Sequence, residues 1–291
     1  KMNKFHSISH ISKVTLLSKI LAKQMKLTED ETKILIAAAA FHDGARDGSE
    51  GNSNHAEGGA KAAGEYFEKN SQNVFGINND QIGLVQVAIH YHEYAEKYAG
   101  QTDENIIKEL AEHYGIKEYD FNSLKRICEV LKDADALDRT RFFDRGTLDP
   151  RLLRTDIAKK GKNIKFAIEL NQSVARKILK DSYKVTDEEL EGNDAVLILK
   201  QKREEQERKR RKIESDKKYG RENNDTVIEE EDVTLEDLYD ILGLNDPERE
   251  NEQPGISDKK KQLFELYETS NIRMIDVQGF ADQMRERRDW R

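Results

Sequence analysis

Ile34-Leu35-Ile36-Ala37-Ala38-Ala39-Ala40-Phe41-His42-Asp43 is an apolar run that ends on two hydrophilic side chains. Thr28-Glu29-Asp30-Glu31 stands ahead of it as a capping box, so the run reads as a core helix. His42 and Asp43 then lie at the buried end of that helix. Leaving such groups unpartnered costs several kcal/mol each. A divalent cation is the simplest partner for both.

Outward from this helix the apolar spacing stays helical. Ile11, Val14, Leu17, Ile20 and Leu21 recur at helical intervals, and similar patterns fill Ala56 to Glu68, Asn79 to His92, Glu104 to Tyr114 and Phe121 to Leu137. Two further helices are expected within Arg151 to Lys160 and Asn163 to Lys180. Loops are expected at Gly44 to Asn54, Asn70 to Asn78 and Tyr94 to Thr102. The first of these is rich in Gly, Asp, Ser and Asn and directly follows the doublet, where a substrate-facing loop belongs. No stretch alternates with period two for long enough to form a strand. The expected fold is all-α, a helical bundle with additional C-terminal helices.

Composition narrows the function classes. Hydrophobic and charged residues each make up 36% of the 291, which suggests a compact core with extended solvated helices. The net charge of −8 gives a field that does not favour nucleic acid or an anionic membrane. One cysteine, Cys128, excludes a disulfide framework and a cysteine-based zinc cluster, and makes the cytosol the permissive compartment. No segment approaches the roughly 20 apolar residues that span a bilayer. Lys1-Met2-Asn3-Lys4-Phe5-His6 lacks the apolar stretch of a signal peptide, and a lysine ahead of the methionine fits either a piece of a longer chain or an added residue.

Lys200 to Lys218 packs ten Lys/Arg and five Asp/Glu into nineteen residues, and Glu229-Glu230-Glu231-Asp232 follows. Such a run reads as a solvated helix or flexible arm. An arm for RNA or phosphoinositides is the rival, opposed by the acidity of the chain and the lack of interleaved aromatics. Leu235, Leu238, Leu242, Leu263, Leu266 and Phe280 mark small helices that pack on the core or form their own subdomain. The expected division is a core at 1–199 and a charged helical arm with small helices at 200–291.

Six of the seven histidines fall before residue 93: His6, His10, His42, His55, His90 and His92. Neutral imidazoles with carboxylates suit Zn, Mn, Fe, Ni or Mg and leave coordination positions for water and substrate. His10, His42, Asp43 and Asp135 are the candidate metal ligands, supplied by separate helices. Arg46, Lys132 and Arg139 are candidate phosphate contacts, with Arg46 preferred because it follows the doublet in the loop. His90 and His92 lie about 200° apart on a helix, so only one faces the site unless the helix ends there. His90 is preferred because Leu84, Val87 and Ala88 set the apolar face near it. His113 reads as a surface or core residue.

The order H…HD…D resembles that of the HD superfamily of phosphohydrolases. His10-Ile11-Ser12-Lys13-Val14 resembles that family's opening H-x-x-[RK]-V. Phe41-His42-Asp43-Gly44-Ala45-Arg46 resembles its F-H-D-x-G-[RK], with the glycine displaced by one. Ala134-Asp135-Ala136-Leu137-Asp138 resembles its closing ADxLD, within which Asp133 competes with Asp135. The resemblance implies an HD-type bundle, His10, His42, Asp43 and Asp135 as ligands of a divalent metal, and His55 and His90 on a second metal or the substrate phosphate. A phosphodiesterase acting on a nucleotide or other small-molecule phosphoester or pyrophosphate is the activity it implies.

A narrower resemblance rests on His6-Ser7-Ile8-Ser9-His10, on Leu131 to Phe142 and on Leu148 to Thr155. These are similar to the phosphodiesterase domain of SidE-type phosphoribosyl-ubiquitinating effectors, which bacteria secrete into a host cytosol. That likeness implies a metal-independent attack on ADP-ribosylated ubiquitin through a histidine phosphoramide. His6 would be the nucleophile and His10 its neighbour. His55, in Asn54-His55-Ala56-Glu57, departs from the acidic residue expected there. A domain that binds a nucleotide or protein without turnover is the remaining alternative.

Overall fold

A computed structural model describes residues 8–45, 55–95, 100–142, 148–223 and 225–242. Among the described residues there are eleven α-helices and no strand, so the fold is all-α as the apolar spacing requires. Helices α1 (Ile8–Gln24) and α2 (Glu29–Phe41) form a hairpin whose turn passes through Lys26 in the left-handed region, at φ 56°. The capping box at its end forms as the sequence proposes: Glu31 N–H donates to Thr28 Oγ1 at 3.2 Å and Thr28 N–H to Glu31 Oε2 at 2.8 Å. The other carboxylate oxygen of Glu31 accepts from Arg126 Nε at 3.0 Å, tying the start of α2 to α6 (Phe121–Asp138).

The four alanines Ala37 to Ala40 are at most 2% exposed. With nothing beyond Cβ on that stretch, α1, α4 (Asn79–Tyr91) and α6 can close tightly around α2. Helix α3 (His55–Lys69) packs on α4 and crosses the end of α2 at Gly59. A Cβ on Gly59 would stand 3.0 Å from the Phe41 carbonyl oxygen and 3.1 Å from that of His42. Glycine therefore sets how near α3 approaches the His-Asp doublet. Helix α5 (Glu104–His113) covers the outer side of α4.

The helix expected within Arg151 to Lys160 forms only over its second half. A 3₁₀ turn at Pro150–Leu152 is followed by extended backbone and then by a short α7 (Asp156–Lys159). The cause is Asp133, whose carboxylate accepts from the N–H groups of Arg154 and Thr155, both at 2.8 Å, and from Thr155 Oγ1 at 2.7 Å. Helix α8 (Gly161–Asp181) then packs on α6, and a short α9 (Asp187–Leu190) leads into α10 (Ala195–Lys218).

The charged stretch from Lys200 is the continuation of α10, which starts at Ala195 and packs on α8. An acidic segment runs back along it. Asp225 meets Lys212 at 2.8 Å, Ile228 N–H donates to Gln206 at 3.0 Å, and Glu230 pairs with Arg203 at 2.7 Å. The segment ends where Val233 N–H donates to Ser9 Oγ of α1 at 2.8 Å. Helix α11 (Leu235–Leu242) then buries Leu235, Leu238 and Tyr239 against α1 and α8. Leu263, Leu266 and Phe280 lie outside the described residues.

Candidate metal centre

Four imidazoles converge on the carboxylate of Asp43, and each is held from behind by its other ring nitrogen. His10 comes from the first turn of α1 and meets Asp138 Oδ2 through Nδ1 at 2.7 Å. His42 and His92 are the residues that close α2 and α4. Each uses Nδ1 on the carbonyl three residues earlier: Ala39 at 2.7 Å for His42 and Ile89 at 2.5 Å for His92. His55 opens α3 and meets Glu93 through Nδ1 at 3.1 Å. An Nδ1–H donated to a carbonyl or carboxylate fixes the tautomer and leaves the Nε2 lone pair to face forward, the usual preparation of a metal-binding histidine.

The forward-facing atoms form two groups that share Asp43, and both have the chemistry and closeness to hold a metal ion. In the first, His10 Nε2 lies 3.2 Å from His42 Nε2, 3.3 Å from Asp43 Oδ2 and 3.3 Å from Asp135 Oδ1. His42 Nε2 stands 3.8 Å from Asp43 Oδ2 and 4.0 Å from Asp135 Oδ1. In the second, the other oxygen of Asp43, Oδ1, faces His55 Nε2 at 3.4 Å and His92 Nε2 at 3.8 Å. Bonds of about 2.1 Å to nitrogen and oxygen put neighbouring donors roughly 3.0–3.4 Å apart. The observed spacings match that or exceed it, the widest being His42 Nε2 to Asp135 Oδ1 at 4.0 Å, and the donor set has the composition and closeness to take a cation in each group.

Electrostatics agree with the geometry. Burial and the nearby Arg141 push the His10 imidazole down, but Asp135, Asp138 and Asp43 outweigh them and lift it to about 10. A proton on His10 thus supplies positive charge among the carboxylates when no cation is bound. Burial pushes His92 down to about 3 and also lowers His42, which keeps both as neutral donors. Burial opposes ionisation of Asp135 and Asp138, yet His10 beside the one and Lys13 with Arg141 beside the other hold both well below the usual carboxylate range. Asp135 is a third exposed while His10, His42 and Asp43 are at most 2% exposed, so Asp135 marks the open side.

The structure brings together His10, His42, Asp43, Asp135, His55 and His92 from the set read in the sequence, and places Asp133, His90, Lys132 and Arg139 apart from them. Asp133 points away to the Arg154–Thr155 turn, which resolves the choice within α6 in favour of Asp135 as the group beside His10. His90 does not reach the cluster, contrary to the preference for it over His92. Its Nδ1 lies 2.9 Å from the Tyr114 hydroxyl, beyond the end of α5. The physical reason is the helical period. His92 continues the face of Val85, Ala88 and Ile89, all fully buried, whereas His90 shares its face with Gly83, which abuts Ile116 and Tyr114. The apolar face was placed one step out of phase.

Lys132 is held by the carbonyls of Tyr91 and Tyr94, and Arg139 is exposed at the end of α6. His113 is exposed beside Tyr114. His6 and Arg46 lie outside the described residues. Sequence reasoning passed over the residues behind the histidines. Asp138 takes Lys13 at 2.9 Å and Arg141 at 2.8 Å besides His10, and Asn171 of α8 accepts from Lys13 at 2.5 Å. The signal was there in part, because Asp135 and Asp138, and likewise His10 and Lys13, are three residues apart on their helices and share a face. Glu93 gave no signal beyond adjacency to His92. Compared with known protein families, curated proteins and solved structures, the chain matches none.

Proposed function

We propose that the chain is a metal-dependent phosphohydrolase of HD type that takes two divalent cations on either side of Asp43 and cleaves a phosphoester or pyrophosphate of a nucleotide-like substrate. The observation that carries this reading is the sharing of Asp43 by two histidine pairs, with all four Nε2 atoms turned toward its carboxylate. His10, His42, Asp43 and Asp135 would hold one cation, and His55, His92 and Asp43 the other. Bound divalent cations lower the pKa of water and neutralise phosphate oxygens. The protein's own part is to fix the donors, keep His42 and His92 neutral, and leave the Asp135 side open to substrate.

Purified protein should carry divalent metal by elemental analysis and hydrolyse bis-p-nitrophenyl phosphate or nucleotides. Chelation and Asp43→Ala should each remove metal and turnover together. Absence of metal and of turnover after supplying several divalent ions would sink the reading. Release of AMP from ADP-ribosylated ubiquitin, persisting in chelator and lost in His6→Ala, would replace it with the metal-independent alternative.

A further inference from the structure

The two histidine pairs are built alike but supported unequally. Each contains one ring held by a backbone carbonyl, His42 or His92, and one held by a carboxylate, His10 or His55. Behind His10 stands Asp138, fully buried and fixed by Lys13 and Arg141. Behind His55 stands Glu93, a third exposed. Among the described residues no lysine or arginine pairs with Glu93. Its second contact is with the start of α3, where Ala56 N–H donates to Oε2 at 3.4 Å. The first position also has Asp135 as a further anionic donor beside His10, and among the described residues the second has no counterpart.

Resting on the two-cation reading above, we infer that the positions load unequally: the His10–His42 position binds first, and the His55–His92 position is the weaker one, its affinity set by Glu93. Glu93 is a positioning residue, since it acts through His55. It fixes the ring that offers Nε2 and joins that ring to the first turn of α3 through one carboxylate. The cation supply then fills and empties the second position while the first stays occupied.

The test is a Mn²⁺ titration of the full chain after chelation, with free Mn²⁺ read from its aqueous EPR signal. Two classes of bound Mn²⁺ are expected. Glu93→Gln keeps an acceptor for Ala56 N–H but removes the charge behind His55. It should weaken the weaker class by about 10-fold or more, the usual cost of losing such a supporting group, and leave the stronger class unmoved. Glu93→Asp should recover part of the loss. A single class of two equal sites, an unmoved weaker class, or equal weakening of both would overturn the inference while leaving the hydrolase reading intact. No bound Mn²⁺ at all would overturn both.

Discussion

Asp133 and Asp135 stand two residues apart on one helix and have opposite surroundings. Asp133 is buried and receives the backbone of the Arg154–Thr155 turn, while Asp135 is partly exposed beside His10. Asp133→Asn should therefore destabilise the fold by about 1–3 kcal/mol for each buried donor left unmet, with metal content unchanged. Asp135→Asn should instead reduce metal content in elemental analysis while leaving the Arg154–Thr155 turn in place. The same separation is expected of the two neighbouring histidines: His92→Ala lowers metal content and His90→Ala does not. Acid should unfold the chelated protein through its buried histidines. Unfolded His92 takes up a proton near 6.5 but folded His92 only near 3, so stability falls as pH drops through that interval. Lowered His42 adds to the loss in the same direction, and the depressed Asp135 and Asp138 add theirs below 3.8. The raised pKa of His10 adds stability that becomes full only below 6.5, so it partly offsets the loss just below pH 7 and contributes no further change at lower pH. Urea midpoints at pH 7, 5.5 and 4.5 should decline in that order, and a flat series would contradict it.

At the level of the helix, legibility followed local rules and failed where a distant group intervened. The α2 cap was readable because Thr28 and Glu31 satisfy each other within one turn. The break in Arg151 to Lys160 was not, because the acceptor that unwinds it lies some twenty residues upstream at Asp133. The His90 assignment failed for a subtler reason: α4 is buried on more than one side, Val87 as fully as Ala88 and Ile89, so apolar character alone did not mark which side faces the site. The crossing of α3 over α2 was also invisible, since a glycine announces no partner. Gly59→Ala should press its methyl on two backbone carbonyls, which cannot rotate aside. A destabilisation of about 1–3 kcal/mol, the usual range for overpacking, is expected in chemical denaturation.

Across the whole molecule, the sequence suggested a boundary near residue 199 because composition changes there. In the structure the change of composition is a change of solvent exposure along one continuous helix, α10, and the chain beyond it returns to α1. Leu238 is fully buried at that return. Leu238→Ala should cost about 2–5 kcal/mol, and unfolding should remain one transition by circular dichroism and tryptophan-independent probes alike. Two separated transitions would instead mean that the regions before and after α10 fold independently. A last consequence follows from where the helices stop. Both α2 and α4 end at the centre, with His42 and His92 as their closing residues. The macrodipoles of α2 and α4 each bring about half an elementary negative charge there, and the starts of α1 and α3 at His10 and His55 oppose it with positive ends, so Asp43 and Asp135 set the sign of the empty pocket. Before any cation arrives the pocket repels anions, so order of addition matters. Calorimetry should detect inorganic phosphate binding to the Mn²⁺-loaded protein and none to the chelated one.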